Sequence, residues 1–395
     1  MLAALSGQDV DYVPMHIIWN VNPLHEKLSW NNDREKLQLC RDRGWDTYLT
    51  VFPTMTPAAD VQINKSIEKT SAGQILKQTW KTPAGDIHEQ LSATDDWEEL
   101  HGRCLSQSAV INWEKRKDTD VLYGPDGIPR YLQFVSDYRT PRYVEFPFKD
   151  LKDLESLDYL FPLDNPADTA KIVQEYQEKR KLADEFNVPL FTYLDAGMDW
   201  LIWLYPADEA VLRVVDDPEY VRKLLGHINQ AKCNRLKLLL DLGIDGIQRR
   251  GWYESVDFWS PQIFREFAKP ELETEIEMAH RAGKPFCYIM VTGIMPLLPE
   301  LASLPFDCLL GPDPVVGGQD FRQIREALPG KTIWGGFSGT GHFINGTPED
   351  AARAVADAIA ICGKERFILG MEVSFRSYFK WENFVAAEQA WKMLR

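Results

Sequence analysis

The chain is expected to fold as an α/β protein, a (β/α)8 TIM barrel with a hairpin-rich insertion in its N-terminal third. Three features of the sequence predict this. In the last third, short apolar runs alternate with capped amphipathic segments. Polar and glycine residues gather just past the C-terminal end of each run: 284–290 gives way to Val291-Thr292-Gly293, 306–310 to Gly311-Pro312-Asp313, 331–334 to Gly335-Gly336-Phe337-Ser338, and 367–369 to Gly370-Met371-Glu372. Between 60 and 142 the pattern changes to short alternating segments with turn signals. Side chains fill the interior of such a barrel, so a substrate is held at the C-terminal strand ends and their loops.

Taken in order, 13–19 reads as a strand, 33–43 as a helix stopped by Gly44, and 47–52 as a strand ended by Pro53. The turn strings Thr82-Pro83-Ala84-Gly85-Asp86 and Gly124-Pro125-Asp126-Gly127 predict hairpins, so 60–142 is expected as an insertion capping one face of a single barrel spanning 1–395. Helices follow at 148–157 and 166–186, then a strand at 189–194. Asp217-Pro218-Glu219 supplies an N-cap, a first-turn proline and an acid. Val221, Leu224, Leu225, Ile228, Leu236 and Leu239 then recur at helical spacing up to Gly243. The strand 244–248 opens into Arg249-Arg250-Gly251-Trp252-Tyr253-Glu254, and Ser260-Pro261 and Thr347-Pro348-Glu349-Asp350 cap later helices.

The net charge of -15, from 44 basic and 59 acidic side chains, argues against a nucleic-acid partner, whose binding relies on Lys and Arg displacing counterions. The six cysteines, Cys40, Cys104, Cys233, Cys287, Cys308 and Cys362, contain no CxxC and suit a reduced protein. No stretch reaches the ~18 continuous apolar residues of a membrane span, and Met1-Leu2-Ala3-Ala4-Leu5 is too short for a signal-peptide core. The chain is therefore expected to be soluble and cytoplasmic, with no membrane partner. A homodimer is a candidate assembly.

Candidate site residues cluster at the expected mouth. Glu254 follows a barrel strand in an aromatic loop, where partial burial would make it a general acid. An ion pair with Arg249 or Arg250 is the competing reading. Arg249 and Arg250 are adjacent in a strand and point opposite ways, so only one can face the mouth and bind a carboxylate or phosphate. Asp195 and Asp199 either lie on one side of a helical turn or cap a helix N-terminus. His16, with Asn20 and Asn22 beyond it, is a candidate acid or base. His342 sits in Gly339-Thr340-Gly341-His342, which reads as a lid or a phosphate cradle; no GxGxxG supports a nucleotide. Among the 13 tryptophans, Trp19, Trp200, Trp203, Trp252 and Trp334 stand at strand ends and would either wall a pocket or pack between barrel and helices. Tyr253, Glu372 and Arg376 complete the substrate-binding candidates.

The strings Gly44-Trp45-Asp46, Asp217-Pro218-Glu219, Gly251-Trp252-Tyr253-Glu254-Ser255 followed by Ser260-Pro261, Trp334-Gly335-Gly336, Gly346-Thr347-Pro348-Glu349 and Trp381-Glu382-Asn383 resemble, in order and spacing, the uroporphyrinogen decarboxylase superfamily over roughly the whole chain. That resemblance implies a (β/α)8 barrel with its site at the C-terminal mouth. It also implies either porphyrinogen decarboxylation or methyl transfer to or from a corrinoid protein. The decarboxylase branch carries Arg-Gln-Ala-Gly-Arg-Tyr after the first strand, where this chain reads Ile17-Ile18-Trp19-Asn20-Val21-Asn22. The branch's aspartate falls near Pro53, and its Gly-His-Gly falls on Gly370-Met371-Glu372. Without those groups the carboxylates of a porphyrinogen lack bidentate partners.

The thiol-directed methyltransferases of the superfamily bind zinc through His-x-Cys. In the register set by Met295-Pro296-Leu297-Leu298 that pair falls on Ile289 and Val291, so zinc in the family's usual ligation is not expected. A different set from Glu254, Cys287 and Glu372 is imaginable; a buried strand residue is the plainer reading of Cys287.

The resemblance therefore implies a methyltransferase that demethylates a small methylated compound, a methoxyaromatic being one candidate, and passes the methyl group to a corrinoid (cobalamin) on a partner protein. Glu254 and the tryptophans would supply acid and walls. A decarboxylase or lyase of a small aromatic acid, and a non-catalytic binding subunit, are the alternatives.

Overall fold

The computed structural model describes residues 1–18, 28, 30, 32–71, 73–92, 143–195, 197–371, 375 and 379–395. Trp19, Asn20, Asn22, Glu372, Arg376, Cys104 and the 93–142 part of the expected insertion lie outside them. In chain order the strands are β1 (Met15–His16), β2 (Leu49–Val51), β3 (Gln62–Thr70), β4 (Gly73–Thr82), β5 (Gly85–Ser92), β6 (Tyr143–Glu145), β7 (Leu190–Asp195), β8 (Gly246–Arg250), β9 (Phe286–Ile289), β10 (Cys308–Leu310), β11 (Thr332–Gly336) and β12 (Phe367–Gly370).

Eight of these strands form one parallel sheet in the order β1-β12-β11-β10-β9-β8-β7-β2. Its two ends meet across Asp46, whose amide donates to the Met15 carbonyl at 3.2 Å while its carboxylate accepts from the Met15 amide at 2.9 Å. This is the expected (β/α)8 barrel. Strands β8, β9, β11 and β12 are buried along their whole length, as a sheet covered on both faces requires.

Strand alternation sorts the side chains into two layers. Tyr48, Phe191, Cys287, Ile289, Cys308, Leu310, Trp334 and Ile368 fill the inside. Leu194, Ile247, Tyr288, Leu309, Ile333 and Leu369 pack outward under the helices. Ala4 and Leu5 of the short helix Leu2–Leu5 join the inner cluster, and Ala4 accepts from Thr332 Oγ1 at 2.8 Å. Thr332 starts β11, so this helix covers the N-terminal end of the barrel, opposite the C-terminal mouth where such barrels bind their ligands.

Strands β3 to β6 form a separate antiparallel sheet, the insertion. Its β4–β5 hairpin turns at the expected Pro83-Ala84, closed by Thr82 paired with Gly85. The helix Pro218–Leu242 matches expectation: Asp217 accepts from the Tyr220 amide, and Gly243 ends it at φ 97°, a left-handed conformation that glycine adopts without strain. The following strand starts two residues later than expected. Ile244 is spent on the helix-ending turn, its amide bonding to Leu239, so pairing begins at Gly246. Expected as one helix, 148–157 is instead a 3-10 turn, Leu151–Ser156, leading into the α-helix Leu157–Leu160, with a capping box between Asp150 and Asp153.

Candidate active site at the barrel mouth

The two arginines that end β8 do point opposite ways, and their fates differ. Arg249 lies on the outer face of the wall. It is fully buried, with its Nη2 3.0 Å from Glu254 Oε1, its Nη1 bonded to Glu254 Oε2, and its Nε 3.0 Å from Glu275 Oε2. Glu254 accepts further from the Met198 amide at 2.8 Å and the Tyr288 hydroxyl at 2.6 Å. Four donors occupy its two oxygens and it lies on the outer face, away from the mouth, so the general-acid reading fails and the ion-pair reading with Arg249 stands. Arg249 and Glu254 thus leave the list of mouth groups, and their role is to anchor the loop after β8.

Arg250 is the arginine that enters the mouth. Its guanidinium lies 3.8 Å from the Trp252 ring centroid and 4.7 Å from that of Trp203, with Nη1 3.4 Å from Asp195 and Nε 3.7 Å from Asp199. Asp195 ends β7 and Asp199 begins the short helix Asp199–Leu204, so neither expectation for the pair holds as stated: both carboxylates converge on Arg250. Asp199 does not cap its own helix. It is fully buried and accepts from the amides of Trp252 at 3.2 Å and Tyr253 at 2.9 Å, tying the β8 loop to the β7 loop. Burial raises the pKa of Asp195, opposed by Lys232. Lys232 itself is pushed down to about 8 by burial, opposed by Asp195, and its ammonium sits 5.3 Å from the Trp200 centroid.

Deeper inside, His16 stacks on Tyr48 with ring centroids 4.5 Å apart, and Trp334 meets both rings edge-on at 5.3 and 5.9 Å. The Tyr48 hydroxyl donates to Gln248 Oε1 at 3.2 Å. Burial, reinforced by Lys36, pushes the His16 pKa well below its ordinary value. His16 is therefore neutral at pH 7 and is not the imidazolium acid its position in the sequence allowed.

Other candidates fall elsewhere. Tyr253 packs edge-on against Phe258 at 5.3 Å and its carbonyl accepts from Trp259, so its side chain belongs to the outer layer. His342 lies in a π-helical turn, Gly339–Asn345, whose amides are used locally: Gly341 donates to Ser338 Oγ, His342 to the Ser338 carbonyl, and the Ser338 amide to His342 Nδ1. Asn383 Nδ2 clamps the His342 and Gly346 carbonyls. The loop is neither a phosphate cradle nor a free lid. Cys287 lies inside the barrel in register with Cys308, on the face opposite Tyr288 and its partner Glu254, so Cys287 and Glu254 do not share a ligand set. Among the described residues, no three His, Cys, Asp or Glu side chains come together as a metal-ligand set, and Ile289 and Val291 cannot ligate one.

Sequence reading missed Tyr48, Gln248, Lys232, Glu275 and Tyr288. Gln248 carried a signal, being an uncharged polar residue within a strand whose neighbours are buried on both faces. The rest look like ordinary packing or surface residues until the barrel closes.

Among solved structures, a methyltransferase from Methanosarcina mazei matches with a TM-score of 0.53 at 15% identity, covering 99% of this chain and 97% of that one, which shows a shared fold. A B12-independent methionine synthase from Shewanella sp. W3-18-1 matches with a TM-score of 0.43 at 15% identity, covering 56% of this chain and 66% of that one. No curated protein matches the sequence. No helix among the described residues is long and apolar enough to cross a membrane. The family model described as Uroporphyrinogen decarboxylase (URO-D) matches residues 119–383, more than half of the chain, and the chain belongs to that family.

Proposed function

We propose that the protein is a methyltransferase that removes a methyl group from a small methoxyaromatic compound and passes it to a corrinoid carried by a partner protein. The observation that carries this reading is the state of Arg250, already matched by Asp195 and Asp199 and stacked between Trp252 and Trp203. A guanidinium so countered is a poor clamp for a substrate with several carboxylates, which needs uncompensated bidentate partners. The aromatic walls around it suit a flat, weakly polar substrate. The solved methyltransferase that shares the fold supports the same direction.

Within that reading, the walls of Trp203 and Trp252 orient the ring, and the corrinoid supplies the methyl acceptor. The departing phenolic oxygen needs a proton. Asp195 is the mouth carboxyl suited to deliver one, because burial raises its pKa and it is partly exposed; while it carries the proton, Asp199 is the carboxyl left facing Arg250. The test mixes purified protein, guaiacol and cob(I)alamin, with and without a candidate corrinoid protein. Guaiacol-dependent loss of cob(I)alamin absorbance with matching catechol formation is expected. Release of carbon dioxide from uroporphyrinogen or a small aromatic acid, with no catechol, would replace this reading with the lyase alternative.

A further inference from the structure

Three polar side-chain atoms inside the barrel have no hydrogen-bond partner among the described residues: His16 Nδ1, Gln248 Nε2 and Trp334 Nε1. Each side chain is at least nine-tenths buried, with exposures of 4, 2 and 1%. They are neighbours, since all three surround Tyr48: His16 stacks on its ring, Trp334 meets its edge, and Gln248 accepts from its hydroxyl. Native interiors rarely leave such atoms unpaired, and three around one ring call for an occupant that pairs with them. Trp334 fits closely here because β12 ends in glycine; a Cβ at Gly370 would stand 2.8 Å from Trp334 Nε1.

The chemistry of these atoms selects the occupant. An indole N–H can only donate. With Gln248 Oε1 taken by Tyr48, the free end of the amide is also a donor. His16 is neutral and can donate or accept. The surrounding inner layer is apolar, with Phe191, Ile289, Leu310 and Ile368. At the mouth Arg250 already faces Asp195 and Asp199. A site with donors but no uncompensated cation favours a neutral acceptor oxygen over a carboxylate.

We infer that His16, Gln248 and Trp334 form a subsite for the neutral hydroxyl or ether oxygen of a small aromatic ligand, seating its ring against Tyr48. This names the substrate class of the proposed methyl-transfer site and rests on that reading. The oxygen seated inside would leave a second, methylated oxygen of the same ring toward Asp195.

The test is equilibrium binding without any corrinoid, using guaiacol, toluene and benzoate as probes on the wild type, Trp334→Phe and Gln248→Glu. The glutamate variant keeps the acceptor for Tyr48 and removes the donor; the phenylalanine variant keeps an aromatic ring and removes the N–H. Guaiacol is expected to bind the wild type at least tenfold more tightly than toluene or benzoate, and each variant is expected to lose about tenfold for guaiacol with no change for toluene. Equal binding of guaiacol and toluene, or undiminished guaiacol binding by both folded variants, would overturn the subsite and assign the three atoms to buried water. Should one variant fail to fold, as judged by its melting curve, the other variant and the probe comparison decide. Donor-dependent guaiacol binding without methyl transfer would keep the subsite and remove only the proposed reaction.

Discussion

Arg249 and Glu254, five residues apart, form a two-point ion pair in which both side chains are completely buried on the outer face of the barrel wall. The pair draws in the Met198 amide from the β7 loop and the Tyr288 hydroxyl from β9, so the loops after β7 and β8 are fixed to each other and to β9. Removing Glu254 leaves Arg249 with Glu275 as its remaining counter-charge but strips the acceptor from the Met198 amide, the Tyr288 hydroxyl and two guanidinium nitrogens, all buried. Glu254→Ala is expected to cost about 3–5 kcal/mol of stability, read as a lowered unfolding midpoint. A variant that melts like the wild type would show that the pair does not hold the loops.

Gly197 packs directly on this pair. At φ 72° a Cβ there would stand 2.0 Å from Arg249 Nη2 and 2.2 Å from Glu254 Oε1. Gly197→Ala is expected to destabilise by about 2 kcal/mol or more, combining left-handed backbone strain with overpacking against two immobile side chains. Substitution at Gly283, also left-handed at φ 67° but with nothing near its Cβ, separates the two effects: Gly283→Ala should show the backbone cost alone.

One guanidinium facing two carboxylates leaves an excess negative charge. Glu254 has four donors, whereas Glu275 accepts only from Arg249 Nε and its Oε1 has no partner among the described residues. Glu275 is the one of the two that takes up a proton near neutral pH, its pKa raised by burial from 4.5 to about 7; Glu271, next to this cluster, is raised by burial to about 8. A carboxyl raised in the folded state lends stability that is complete below its unfolded pKa and is lost as pH rises through the folded value. Stability of the wild type should thus fall between about pH 4.5 and pH 7, by about 3 kcal/mol from this group. Glu275→Gln, which keeps an acceptor for Arg249, should flatten that part of the pH profile. An unchanged profile would place the proton elsewhere.

The barrel was legible in the sequence because several of its strands are short apolar runs ended by glycine or a polar residue, as in 284–290 and 367–369, and because caps such as Asp217-Pro218 and Thr347-Pro348 act locally. The site was legible only in part. Period-two alternation put Arg249 and Arg250 on opposite faces, yet which of them faced inward depended on where β8 starts, and that start was set by the Gly243 turn. Glu254 looked like a mouth acid because its partners Met198 and Tyr288 lie 56 and 34 residues away. The cluster of His16, Tyr48, Gln248 and Trp334 exists only once four distant strands close around it.

Arg250 offers the sharpest test of the mouth itself. Its plane stacks on Trp252 at 3.8 Å, and its charge balances Asp195 and Asp199. Arg250→Lys keeps the charge and loses the plane, because an ammonium is a compact point donor on a flexible stem. If Arg250 and its two tryptophans form the surface that receives the substrate ring, this variant should bind the methoxyaromatic probe about tenfold more weakly, about 1.4 kcal/mol, with its melting temperature nearly unchanged. Arg250→Gln should lose binding and stability together, since it leaves two carboxylates without their cation. Wild-type affinity in the folded lysine variant would reduce Arg250 to a structural counter-charge and move the binding surface inward to Trp334 and Tyr48.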